Sequence, residues 1–223
     1  MLSKIPSGLN PSSREALYSL LPKGTLTPLQ EKIKEWMGDL YEKQPPYRWE
    51  NSHSGVTDEI VVDGKTVAVA AHPPKVYCCG LSFEMWWKVH THLCEKHGKE
   101  QPFPFDEVKE MYKHFFVFDE GGLYDQGFGT GGKAYQGLLT KHKLPWKVHV
   151  HTSIENANFG DFVQMRNKEN IHTPGGGHSF LFVGMADEKN GKQVHRAVRG
   201  FQAEKPSYGL TGGINLSWFI KNK

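Results

Sequence analysis

The sequence predicts an α+β fold, and three observations predict it. Apolar residues at helical spacing dominate the first two thirds, strict alternation takes over from Trp146, and no helical pattern separates the later strands, as a parallel sheet would require. A length of 223 residues suits one domain, because single cores usually split only near roughly 250 residues. With 38% hydrophobic and 12% aromatic residues, the chain has ample material for a buried core and is not a disordered one.

Asn10 before Pro11 reads as a cap followed by proline at the first helical position, opening a short helix that Pro22 and Gly24 end. Thr27 with Gln30 forms a capping box for the next helix, whose Leu29, Ile33, Trp36, Met37, Leu40 and Tyr41 share one face. The stretch Ile60 to Ala71 alternates around Asp63 and Gly64, a dipeptide suited to a tight hairpin. A largely buried helix is expected to begin at Cys78 and run to His97, on the spacing of Leu81, Phe83, Trp86, Trp87, Val89 and Leu93. Asp106 to Phe118 predicts a further helix capped by Asp106, and a short one follows the glycine-rich segment 121–132, near Ala134 to Thr140. Strands are expected at Trp146 to Thr152, Asp161 to Asn167, His178 to Met185, Lys192 to Val198 and Ile214 to Ile220. The chain therefore reads as one domain, 1–223, with N-terminal helices over 1–44, a hairpin insertion at about 56–72 and a helical insertion at about 99–145.

Composition narrows the function classes. A formal charge of +3, from 27 Lys plus Arg against 24 Asp plus Glu, lacks the dense basic stripe that a phosphate backbone demands, so no nucleic-acid partner is expected. No run nears the roughly 18 consecutive apolar residues of a membrane span, so no integral membrane segment is expected either. The opening 24 residues contain no apolar stretch of the roughly 7 to 15 residues that a secretory leader needs; the chain is expected to be cytoplasmic, trimmed or exported by another route. Cys78, Cys79 and Cys94 are too few, and odd in number, for a disulfide scaffold.

The adjacent pair Cys78 and Cys79 stands at a predicted helix N-terminus, where unpaired backbone N–H groups and the helix dipole favour a thiolate. His178 opens the apolar strand SFLFV directly after Gly175, Gly176 and Gly177, which leave room beside it. The remaining histidines offer weaker patterns. His90, Cys94 and His97 share one helix face, and His149 and His151 one strand face, but no C-x-x-C accompanies them, so no metal site and no cofactor is expected. The acidic residues near Asp119 and Asp125 lack calcium-loop spacing, and GFGTGG lacks the strand and lysine of a phosphate loop.

Four motifs fall in one order: PYRW (Pro46 to Trp49), YCCGLSFE (Tyr77 to Glu84), FGDFVQM (Phe159 to Met165) and GGGHSFLFVG (Gly175 to Gly184). That order resembles the NlpC family of papain-like cell-wall cysteine hydrolases, over about Trp36 to Val198. The resemblance implies a papain-like fold with helices packed on an antiparallel sheet, and a hydrolase of peptide or amide bonds acting on peptidoglycan stem peptides, without a cofactor. Alignment on Gly80 makes Cys78 the nucleophile and puts Cys79 on the family serine; His178 becomes the base. For the residue that orients His178, VHRA around His195 resembles the family text. A two-residue turn at Asn190 and Gly191 would instead put Gln202 beside His178, and His195 is favoured of the two. Tyr47 falls on the family tyrosine that lines the site, with an ordinary packed aromatic as the alternative. The chain departs from the pattern at Tyr77, where the family has aspartate, at Glu50 and Asn51, where it has glycines, and at Phe180, where it has a small residue. The reading from a different class is a non-catalytic or zinc-stabilised binding module on the same fold.

Overall fold

A computed structural model describes residues 18, 24–43, 45, 48–115, 130–151, 156–166, 177–190, 193–201 and 214–221. In chain order these form helix α1 (Pro28–Lys43), the hairpin strands β1 (Ile60–Val62) and β2 (Lys65–Ala68), and helices α2 (Cys78–Lys96), α3 (Phe105–Phe115) and α4 (Thr130–Lys141). Strands β3 (Lys147–His151), β4 (Phe162–Arg166), β5 (Gly177–Asn190), β6 (Gln193–Phe201) and β7 (Ile214–Lys221) complete the order. Helices come first and an antiparallel sheet second, so the chain is α+β as its patterning predicts. The segment Asn10 to Pro22 lies outside the described residues, apart from Tyr18, which is helical.

The capping box forms as read. Thr27 Oγ1 accepts from the Gln30 N–H at 3.3 Å, and Gln30 Oε1 accepts from the Thr27 N–H at 2.9 Å. Gln30 also donates to the Phe159 carbonyl at 2.9 Å, which fastens the start of α1 to the loop entering β4. Ile33, Met37 and Leu40 of α1 are buried in the common core.

The β1–β2 hairpin turns at Asp63 and Gly64, both with positive φ (52° and 70°), the geometry that twists two strands in the native sense. The same Asp63 does a second job. Its carboxylate accepts the Phe105 N–H at 3.1 Å, so α3 begins one residue before Asp106 and takes its cap from the hairpin. Asp106 accordingly sits in the first turn as a charge complementing the helix dipole, where sequence reasoning had it as the cap.

Helix α2 carries the core. Phe83, Met85, Trp86, Val89 and Leu93 are buried, and Trp86 meets Tyr135 of α4 and Phe115 of α3 at 5.2 and 6.0 Å between ring centroids. At its far end His90 is fully buried. Its Nδ1 lies 2.9 Å from the Tyr135 hydroxyl, which also accepts the Trp146 indole N–H at 2.9 Å, while its Nε2 lies 3.6 Å from Cys94 Sγ. The Tyr135 oxygen accepts the indole N–H and faces one ring nitrogen of His90, while Cys94 faces the other. Burial draws His90 down to about 4, against the opposing pull of Gln101, which keeps the ring neutral.

The main sheet has the order β3-β7-β4-β5-β6, all pairs antiparallel. Gly160 N–H to Phe182 O (2.9 Å) and Phe182 N–H to Asp161 O (2.7 Å) open the β4–β5 pairing just before β4. Leu181, Val183 and Phe162 join the core that α2 lines, and Ser179 Oγ donates to the Phe115 carbonyl at 3.2 Å. The long β5–β6 hairpin closes with Asn190 opposite Gln193, one residue later than the Asn190–Gly191 turn predicted.

Candidate active site

The residue before α2 is Tyr77, in extended conformation (φ −144°, ψ 168°) and with no side-chain hydrogen bond capping the helix. The chain changes to helical dihedrals at Cys78, the first residue of α2, and the Cys79 and Gly80 N–H groups of the first turn bond the Cys79 thiol. A helix that starts here against its neighbours needs glycine two residues on: a Cβ on Gly80 would overlap the carbonyl oxygens of Ser54 and Gly55. Gly55, at φ +69°, could carry no Cβ either, since the Tyr77 ring fills that space. The two glycines let the 53–55 loop lie directly on the first turn of the cysteine helix.

The tyrosines finish the clamp. Tyr77 donates to the His53 carbonyl at 3.0 Å, Tyr112 donates to the Ser54 carbonyl at 3.1 Å, and the two hydroxyl oxygens are 3.2 Å apart. Burial pushes Tyr112 up to about 12 and Tyr77 higher still, so both stay protonated. One turn along, the buried Glu84 accepts from the Thr57 N–H (2.6 Å) and hydroxyl (2.7 Å), with Lys88 at 3.4 Å. None of this was legible as a site motif, because Glu84 and Thr57 are 27 residues apart and Tyr77 and Tyr112 are 35.

No cysteine is in a disulfide, and Cys78 and Cys79 are both buried, 6% and 2% exposed. Burial pushes Cys79 well above the usual thiol range, a hydrogen bond with Cys78 and the charge of Cys78 push it the same way, and the Cys79 and Gly80 N–H groups oppose them. Cys94, at the other end of α2, is pushed up to about 11 by burial.

Helix α2 packs against β5, the strand that carries His178 as its second residue, in register with Met165 of β4. The β5 side chains seen to meet the helical layer are those of Ser179 and Leu181, so position 178 is out of phase with them along the strand. His195 stands in β6 opposite Glu188, ten residues along β5 from His178. At about 3.3 Å per residue, that is some 30 Å of strand. The hairpin register therefore does not bring His195 to His178, a correction to the reading from VHRA, and the cause is the long β5–β6 ladder, which runs from Asn190–Gln193 past one irregularity at Phe182–Gly184 to Leu181–Phe201. Gln202, one residue past the Leu181–Phe201 pair, and Tyr47 both lie outside the described residues.

Among the described residues, no group of three or more His, Cys, Asp or Glu is placed to hold a metal ion. His90 and Cys94 do meet, but their donor atoms are spent on each other and on Tyr135.

Beside the cysteine helix the 49–54 segment walls a cavity of about 270 Å³, reached by Tyr77, Tyr112 and Val69. His53 sits in its wall, 5% exposed, with Nδ1 accepting the Gly55 N–H at 3.0 Å. Burial keeps its pKa below the ordinary histidine value, the Glu50 charge opposing, so Nε2 carries the proton; that buried atom has no acceptor among the described residues. A larger open hollow of about 570 Å³ lies between α1 and α2, but its Lys32 and Lys34 are paired with Glu35 and Glu31, as on a solvated helix face. Compared with models of protein families, with curated proteins and with solved structures, the chain matches none of them.

Proposed function

We propose that this chain is a cysteine hydrolase of peptide or amide bonds, of the papain-like NlpC type, acting on peptidoglycan stem peptides. The observation that carries the reading is the place of Cys78, the first residue of a helix whose N-cap Tyr77 makes no side-chain cap hydrogen bond, where helix N–H groups and the helix dipole favour a thiolate. In the mechanism, Cys78 Sγ attacks the scissile carbonyl and the His178 imidazole takes the thiol proton. The tetrahedral oxyanion is held by first-turn N–H groups of α2, and its collapse expels the amine, which receives that proton from His178. Water then attacks the thioester, with His178 again as base, releasing the acid and restoring the thiol. Since β6 places His195 opposite Glu188, Gln202 takes over as the residue proposed to orient His178.

The reading is tested with Cys78→Ser and His178→Ala on purified muropeptides, followed by chromatography, with circular dichroism as the check on folding. Loss of cleavage in both folded variants supports it, and full activity in either defeats it. A non-catalytic binding module is the second reading. Two observations favour it, the burial of Cys78 and the phase of position 178 against Ser179 and Leu181. A wild-type chain that cleaves no muropeptide and alkylates slowly at both cysteines would establish it.

A further inference from the structure

The cavity beside Tyr77 has features that hydrolysis at Cys78 does not use. Trp49 is 49% exposed at its mouth, with its ring 4.5 Å from that of Tyr77 and tilted by 49°, and Val69, 43% exposed, stands at the same cavity. Large apolar side chains half in water at the lip of a concavity mark a place where something binds. Polar side chains share the lip: Asn51 and Ser52 are exposed, and Glu50 is paired with Lys75 at 3.0 Å, so the rim carries hydrogen-bonding groups and no net charge.

The backbone of the wall is already committed. The carbonyls of His53, Ser54 and Gly55 accept from Tyr77 Oη, Tyr112 Oη and the Tyr77 N–H; the N–H groups of Ser54 and Gly55 donate to Val69 O and His53 Nδ1. An extended peptide needs a free backbone edge to pair with, and residues 53–55 offer little of one. What remains is an aromatic face with side-chain amide, hydroxyl and carboxylate groups around it. That combination suits a ring with apolar C–H faces and an equator of hydroxyls. The volume of about 270 Å³ holds one such ring, and the neutral rim selects against a charged one.

We infer that the Trp49 cavity is a saccharide subsite that takes one neutral pyranose ring, stacked on Trp49 and hydrogen-bonded by Asn51, Ser52 and Glu50. The subsite goes beyond the hydrolase reading and does not depend on it. Tyr77 belongs both to the cavity and to the entry of α2.

Calorimetric titration of the full chain with N,N′,N″-triacetylchitotriose and with maltotriose tests this without any hydrolysis assay. Saturable binding of either sugar is expected, weakened about tenfold or more in Trp49→Ala and in Asn51→Ala. No binding to wild type, or wild-type affinity in Asn51→Ala together with a folded Trp49→Ala, overturns the subsite. If Trp49→Ala fails to fold, the exposed Asn51→Ala decides alone: weakened binding supports the subsite and unchanged binding overturns it. Catalytic variants such as Cys78→Ser should bind the sugar as wild type does, so failure of the hydrolase reading leaves this result standing.

Discussion

Glu84 takes both hydrogen-bond donors of Thr57, the backbone N–H at 2.6 Å and the hydroxyl at 2.7 Å, from a position 2% exposed in the second turn of the cysteine helix. Truncating a buried carboxylate strands its donors. Glu84→Ala should therefore cost about 2 to 4 kcal/mol, whereas Glu84→Gln, which keeps one acceptor, should cost less. Urea denaturation of both variants measures this, and a change under about 0.5 kcal/mol in Glu84→Ala would mean that the tie carries no stability.

Brief alkylation with iodoacetamide at pH 7 to 8 should modify Cys78 ahead of Cys79. Thiolate is the reacting form, and burial together with the neighbouring Cys78 keeps Cys79 protonated far above that range. Peptide mass mapping reads the order directly. Faster modification of Cys79 would shift the proposed nucleophile by one residue.

Comparing turnover of His195→Ala with that of Gln202→Ala decides the orienting residue. With His195 opposite Glu188, the larger loss is expected in Gln202→Ala, with little change in stability for either. A larger loss in His195→Ala would show that the β5–β6 register differs in the working enzyme.

Asp161 predicts a pH dependence of stability. It is 3% exposed and, among the described residues, accepts only the Asn158 N–H, at 2.7 Å, and burial raises it from 3.8 to about 8. A raised folded pKa means that the folded chain keeps a proton that the unfolded chain releases. The group costs nothing below pH 4, its penalty grows from about 4 to about 8, and it is constant above that. Asp161→Asn removes the titration and keeps an acceptor for Asn158. Its gain over wild type should be near zero at pH 4 and on the order of 5 kcal/mol by pH 8. Parallel urea midpoints for the two chains across pH 4 to 9 would contradict the assignment.

What could be read from the bare chain was whatever is decided within a few residues. Thr27 and Gln30 are three apart, Asp63 and Gly64 are adjacent, and the start of α2 at Cys78 follows from local apolar spacing; each appears where it was expected. Relations across the chain were not legible. Asp63 caps a helix 42 residues on, and the two tyrosines that hold the 53–55 loop come from different elements. The place of His195 turned on how far an antiparallel ladder continues, which depends on packing of both faces and not on the four letters VHRA. The cavity at Trp49 lay hidden for a related reason: PYRW drew attention to Tyr47, while the exposed indole two residues later was silent.

The ordered run from Trp146 through Tyr135 to His90 has a use as a clock. The ring proton of His90 is held between Tyr135 and Cys94 in a fully buried ring stacked 4.3 Å from Phe103, and water reaches it only when the helical layer opens. Its exchange in deuterated solvent should thus track separation of α2 from α4 and ignore fraying at strand ends. A single imidazole resonance would then time the breathing of the core.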